Sequence, residues 1–293
     1  KKTLSDLNFD MEKFDQEYSC SFQGSSGTLI SGSKLKSLVH ETPLNQKEGF
    51  YQYQMPDKTK SYVMVCDVSE GKGLDYSTIQ VIDVSKMPYN QVATFRSNLI
   101  TPTDFASKIH LIGKLYNEAS CLIEINSIGE TVAYILHNDF EYPNILRTEN
   151  AGRLGKKITH KMGKTIDNGI KMSVQTKSTG CSLLKLIVEA DQLILNDHNT
   201  IEELSRFSRK GRSYEAESGS HDDLIMPLVS FAWLTDQRYF KEYTDINTVA
   251  SIRDNTEEEN AAHLDGCGMI TNGIEEIENK TVEEHGLIWT IQD

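Results

Sequence analysis

The chain has 293 residues, enough for one large domain or two small ones, and its 38% hydrophobic and 25% charged residues argue against a wholly disordered or fibrous protein. No run of 18 apolar residues occurs, and the charged start Lys1-Lys2-Thr3 leads into no signal-peptide stretch, so neither a membrane span nor secretion is expected. The net charge of −13 disfavours a nucleic-acid partner only as a sum, because residues 254–293 carry eleven acids against Lys280 and leave 1–253 at −3.

Residues 1–48 are polar and Ser/Gly-rich around Phe22-Gln23-Gly24-Ser25-Ser26-Gly27, and read as a loop-rich lead-in. Strand-length segments follow. Tyr51-Gln52-Tyr53-Gln54-Met55 alternates, Tyr62-Val63-Met64-Val65-Cys66 is a short apolar run, and Thr78-Ile79-Gln80-Val81-Ile82 and Gln91-Val92-Ala93-Thr94-Phe95 come after turn-like breaks. Their β-branched content and hairpin-sized connections predict an antiparallel meander. Phe105, Ile109, Ile112 and Tyr116 then recur at helical spacing, with Thr103 the expected N-cap. A further apolar run, Cys121-Leu122-Ile123, precedes helical spacing at Val132, Ile135 and Leu136.

Residues 153–177 hold seven basic side chains (Arg153, Lys156, Lys157, Lys161, Lys164, Lys171, Lys177) against Asp167, and Arg206, Arg209, Lys210 and Arg212 form a second basic cluster. Solvated basic loops are the ordinary explanation; a docked polyanion is the other. Leu183, Leu184, Ile187 and Val188 suggest a helix between the two clusters, and Leu224, Leu228, Phe231 and Leu234 suggest a last one. Strands first and then alternating helices and strands describe an α/β fold, a mixed sheet flanked by helices, over residues 49–245. Residues 246–293 read as an acidic, weakly patterned C-terminal tail. Five scattered cysteines (Cys20, Cys66, Cys121, Cys181, Cys267) spell neither a disulfide framework nor a zinc site, so they are expected to be reduced cytoplasmic thiols, with Cys66 and Cys181 in the core.

Strand ends and helix starts hold side chains at rigid, water-accessible points. Asp67 closes the run 62–66, Glu124 closes 121–123, and Asp222-Asp223 open the helix of Leu224 and Leu228. Each has an ordinary structural alternative: a turn former, an edge-strand surface charge, a helix cap. Together they describe neighbouring strand ends with a helix packed over them. Several carboxylates a few ångströms apart resist ionisation, and a divalent cation removes that conflict. Oxygen-only ligands favour Mg²⁺ or Mn²⁺, and two such ions about 4 Å apart suit an in-line phosphoryl displacement. Gly163-Lys164-Thr165 mimics the end of a P-loop, but Ile158 stands where the first glycine belongs.

Three segments, Val65-Cys66-Asp67-Val68-Ser69-Glu70-Gly71-Lys72-Gly73-Leu74-Asp75-Tyr76, Ile123-Glu124-Ile125-Asn126 and Ser220-His221-Asp222-Asp223-Leu224-Ile225-Met226, resemble the nuclease domain of the large terminase subunit of tailed bacteriophages. The likeness covers roughly residues 50–240. It implies an RNase H-like fold and an endonuclease that cuts concatemeric double-stranded DNA when headful packaging starts and ends. By the resemblance Asp67, Glu124 and Asp222 or Asp223 are the catalytic metal ligands for two Mg²⁺ or Mn²⁺ ions. Asp75 would be an accessory ligand; His221 is either a structural neighbour of the acidic pair or a group that orients a water or contacts phosphate, and Asn126 would hydrogen-bond the Glu124 loop.

The segment from Gly169 through Lys177 resembles a family loop near the cleft. Residues 155–168 look like a basic hairpin in which Lys156, Lys157, Lys161 and Lys164 track duplex backbone, joined by Lys171 and Lys177. Residues 8–38, notably Phe14-Asp15-Gln16-Glu17-Tyr18, resemble the end of the family's ATPase motor, so 1–48 is expected to close that motor and link it to the nuclease. ATP hydrolysis would then belong to an upstream ATPase domain that this sequence lacks. The implied partners are DNA, that ATPase, the portal and prohead, the small terminase subunit and further copies on the capsid, with a monomer in isolation, all in the host cytoplasm and transiently on the prohead. The alternatives are another RNase H-like nuclease of resolvase or integrase type, or a non-catalytic DNA-gripping module.

Overall fold

Tyr62-Val63-Met64-Val65-Cys66 reads as an uninterrupted apolar run because both faces of its strand are covered. Tyr62, Met64 and Cys66 enter one core with Ile79, Phe95, Phe105 and Ile109, while Val63 and Val65 enter another with Ile82, Leu184, Leu228 and Phe231. The computed structural model describes residues 27–150, 155–160, 163, 165–211 and 213–244, and the backbone of 280–284 and 287–291.

In chain order the elements are α1 (Gly32–Ser37), β1 (Asn45–Lys47), β2 (Phe50–Gln52), β3 (Tyr62–Asp67), β4 (Ser77–Asp83), β5 (Tyr89–Ser97), α2 (Pro102–Leu115), β6 (Ser120–Ile123) and α3 (Gly129–Asn138). There follow β7 (Arg147–Asn150), β8 (Lys156–Thr159), β9 (Ile166–Asp167), α4 (Val174–Glu189), β10 (Leu193–Ile194), α5 (His198–Ser205), β11 (Phe207–Lys210), β12 (Ser213–Ala216) and α6 (Ile225–Thr235). The main sheet has the order β1-β2-β5-β4-β3-β6, with β10 pairing parallel to β5. β3, β4 and β5 form the expected antiparallel meander, and β6 joins β3 in parallel after the α2 crossover. Helices α2 and α3 cover one face and α4 and α6 the other, so the α/β mixed sheet flanked by helices is observed.

Several expectations need correction. The cap of α2 is Thr101, not Thr103, since its side chain accepts from the Asp104 N–H and Pro102 occupies the first turn, where no N–H is needed. Residues 155–168 are not a self-paired hairpin: β8 and β9 both pair with β7, which lies between them and brings Glu149 opposite Lys157. Leu29 and Ile30, within the stretch read as a lead-in, are buried in the core beneath α4 and α6. Within the acidic C-terminal segment, β13 (Lys280–Glu284) and β14 (Leu287–Ile291) pair as an antiparallel hairpin. Cys66, Cys121 and Cys181 are buried free thiols; Cys20, Cys267, the segment 14–18, Arg153, Arg212, Lys161 and Lys164 lie outside the described residues.

The contact of α4 with α6 depends on Gly180. A β-carbon there would stand 2.5 Å from the Val229 carbonyl oxygen and 2.7 Å from its Cγ1. Alanine's helix propensity offers about 1 kcal/mol over glycine, but overpacking costs about 1–3 kcal/mol. Gly180→Ala is therefore expected to lower the unfolding free energy by up to about 2 kcal/mol in urea; a gain would show that the helices separate freely.

Candidate active site

The acids named from the sequence converge at one end of the main sheet. β3 and β6 run side by side with Cys66 opposite Ile123, so Asp67 ends one strand where Glu124 follows the other. The Glu124 N–H donates to the Cys66 carbonyl at 2.9 Å, which locks the two strand exits together. Across β3, Asp67 faces Thr78 of β4, and the Thr78 hydroxyl donates to the Asp223 carbonyl at 2.6 Å. That bond ties the segment before α6 to the same strand ends.

Asp222-Asp223 do not cap α6. The helix starts at Ile225 after Leu224, whose own side chain supplies no cap, and the Asp223 carboxylate instead accepts the Tyr76 N–H at 3.1 Å. His221 Nδ1 lies 3.4 Å from the same carboxylate oxygen, and its ring stands edge-on to Tyr76 at 5.2 Å, so His221 orients Asp223. Asn126 donates to Glu124 Oε1 at 2.8 Å. Asp75 is exposed at the rim and raises the Asp223 pKa.

The electrostatics record the convergence. Burial pushes the Asp67 carboxyl far above the usual range, and the charges of Glu124, Asp223 and Asp222 add to the rise. Burial carries Glu124 up to about 7 against the pull of Lys177 and Asn126. Asp223 rises to about 6, mainly through burial, opposed by the Tyr76 N–H and His221. Oxygen donors that resist ionisation together are a chemical match for a hard divalent cation. Even so, among the described residues no three His, Cys, Asp or Glu side chains stand close enough to hold one ion. The backbone brings these carboxylates to one crevice, and a shared ion would need them to turn toward one another.

The basic side chains are less free than their number suggests. Lys156 pairs with Asp167 at 2.5 Å, Lys157 with Glu149 at 3.0 Å and Lys171 with Glu130 at 2.8 Å. Lys177 lies 4.0 Å from Asp222, inside the acidic crevice rather than on a loop. In the second cluster Arg206 pairs with Glu202 and Lys210 with Glu215.

Sequence reasoning missed Glu203, a buried acid of α5 that accepts the Leu224 N–H at 2.8 Å and is carried up to about 7 by burial. The available signal was its place with Thr200 and Leu204 on the buried stripe of an otherwise polar helix. It also missed Tyr76, just before β4, and Thr78 within it, whose bonds to Asp223 come from far away in sequence.

The family model described as Terminase RNaseH-like domain matches residues 64–231, more than half of the sequence and the whole span from β3 into α6. The chain belongs to this terminase family. Among solved structures, this terminase domain is similar to the large terminase nuclease of thermophilic phage G20c with bound magnesium. That likeness is 18% identical, covers 72% of this chain and 98% of the other, and has a TM-score of 0.54. The same nuclease with bound cobalt gives 19% identity over 72% and 98%, at 0.53. At these identities the likeness carries the RNase H-like fold of the terminase domain. Among its described residues no helix is long and apolar enough to cross a membrane.

Proposed function

We infer that this terminase domain is a metal-dependent endonuclease that cuts concatemeric viral double-stranded DNA at the start and end of headful packaging. The observation that carries the reading is the convergence of three carboxylates on adjoining segments: Asp67 and Glu124 leave paired strands locked by the bond from the Glu124 N–H to the Cys66 carbonyl, and the Thr78 hydroxyl ties Asp223 to the same strand ends. Family membership supports a nuclease role, and the similar phage nuclease has bound magnesium and cobalt in the two structures above.

Asp67, Glu124 and Asp222 or Asp223 would hold divalent ions, Mg²⁺ or Mn²⁺ and two by the chemistry of the reaction, with Asp75 at the rim. Bound there, such ions supply Lewis-acid stabilisation of the phosphate and an activated water. The chain's own groups do the rest. Asn126 fixes the Glu124 carboxylate, and His221 and the Tyr76 N–H fix that of Asp223. Lys177, placed beside Asp222, meets the incoming phosphate with a positive charge. The ion pair of Lys171 with Glu130 is exposed on both sides, and such pairs are worth only about 0–1 kcal/mol, so DNA phosphate can replace that acidic partner; Lys157 is itself exposed but its partner Glu149 is half-buried. The ATPase, portal, small subunit and sister copies are the partners this role requires, in the host cytoplasm and on the prohead.

Supercoiled plasmid with Mn²⁺ tests the reading. Nicking that depends on Mn²⁺, stops with a chelator and is absent from Asp67→Ala is expected. DNA binding without any cleavage would instead identify a gripping module of the motor.

A further inference from the structure

Helix α6 lacks the cap that its sequence offers. The first N–H groups of a helix need partners, and a flanking Asp, Asn, Ser or Thr ordinarily supplies one. Two aspartates precede α6, yet neither carboxylate serves it. Asp222 contributes only its backbone carbonyl, which accepts the Ile225 and Met226 N–H groups at 3.0 and 2.9 Å. Asp223 gives its carboxylate to Tyr76 and its carbonyl to Thr78.

The Leu224 N–H is taken by Glu203 Oε2, 21 positions earlier on α5. Glu203 is only 8% exposed, and its Oε1 has no hydrogen-bond partner. Arg96 Nη1 stands 3.9 Å from Oε1, and the Arg96 guanidinium lies over the Tyr76 ring at 4.2 Å. Tyr76 in turn holds Asp223, so Arg96, Glu203, Leu224, Asp223 and Tyr76 close a ring behind the acidic crevice. A buried carboxylate with an unsatisfied oxygen is costly, and here it serves an N–H that is itself buried.

We propose that Glu203 is a positioning residue for Asp222 and Asp223: by capping α6 from α5, it releases both aspartate side chains from helix duty and fixes them at the crevice they share with Asp67 and Glu124. This rests on the reading of that crevice as the metal and cleavage site. Removing the acceptor leaves the Leu224 N–H without a partner, and the nearest available substitute is an aspartate carboxylate withdrawn from the site. Glutamine keeps an acceptor oxygen at the same reach.

Mn²⁺ binding to the full chain, measured by calorimetry, and plasmid nicking test it together. Glu203→Ala is expected to weaken Mn²⁺ binding about tenfold and to lower kcat for nicking at least as much, with KM for DNA unchanged. Glu203→Gln is expected to stay within about threefold of the parent in both, a rescue that loss of charge alone would not give. Parental Mn²⁺ affinity and turnover in a folded Glu203→Ala, or a Glu203→Gln as impaired as the alanine variant, would overturn the inference. If circular dichroism shows Glu203→Ala unfolded, Glu203→Gln decides alone: retained Mn²⁺ binding supports positioning through the acceptor, and lost binding overturns it. Asp67→Ala serves as the separate control. If it binds Mn²⁺ like the parent, the crevice is not the metal site, whatever Glu203 does.

Discussion

Asp67→Asn is expected to lower plasmid cleavage by a factor of about 10³ or more while raising the thermal midpoint of the chain at pH 8. Both effects come from one charge. The aspartate closes β3 beside Glu124 and near Asp223; burial raises its carboxyl first, and the charges of Glu124, Asp223 and Asp222 raise it further. In the proposed mechanism that concentrated negative charge holds the cations, and asparagine removes it with almost no change in shape.

Stability runs the other way. A carboxyl whose folded-state pKa is raised contributes stability that is fully present below its unfolded value and is lost as pH rises through the folded value. For this cluster the window opens near the ordinary values of 3.8 and 4.5 and extends through about 6 for Asp223 and about 7 for Glu124. Below the ordinary aspartate value of 3.8 the parent carboxyl is neutral in the folded and the unfolded chain alike, so there variant and parent should melt together. By pH 8, in chelator, the variant should melt about 3 °C higher or more, the shift expected from roughly 1 kcal/mol in a domain of this size. A midpoint that is unchanged or lower at pH 8 would show that Asp67 does not share its surroundings with the other acids.

Gly129→Ala should be the most damaging change at a residue that carries no chemistry. A β-carbon there would lie 2.0 Å from the Glu124 carbonyl oxygen and 3.7 Å from Val68, the neighbour of Asp67. The contact is to backbone, so no rotamer relieves it. The β6 exit or the start of α3 must shift, and Glu124 shifts with it. Misplacing a catalytic group by about 1 Å costs on the order of 10² in rate, and the overpacking costs about 1–3 kcal/mol. Cleavage reduced about a hundredfold, with a lower urea midpoint, is the expected result. A variant that cleaves like the parent would show that the position of Glu124 is not set by this contact.

Much of the architecture was legible in local pattern. The run 62–66 and the alternation around 78–82 and 91–95 are short, β-branched and broken by turns, and they became β3, β4 and β5. The stripe 105–116 became α2 because helical spacing survives wherever one face is buried, and 224–234 became α6, which is apolar and buried nearly all round. The converging acids were legible too, as charges that border apolar runs. Pairing was not legible. Residues 155–168 look self-complementary as a basic hairpin, but strand partners are chosen by what lies alongside in space, and β7 lies between β8 and β9. Nor was the fate of the lysines, whose acidic partners Glu130, Glu149 and Asp167 are brought near by the fold.

The sequence by itself determined which segments become strands and helices and which carboxylates end them, because those choices depend on side chains within one or two turns of each other. Only the tertiary structure decided that Asp222 and Asp223 leave the capping of α6 to Glu203, and that Glu124 rests against Gly129. Both are settled by contacts across the fold, where the position of a backbone group depends on distant packing as much as on its own neighbours.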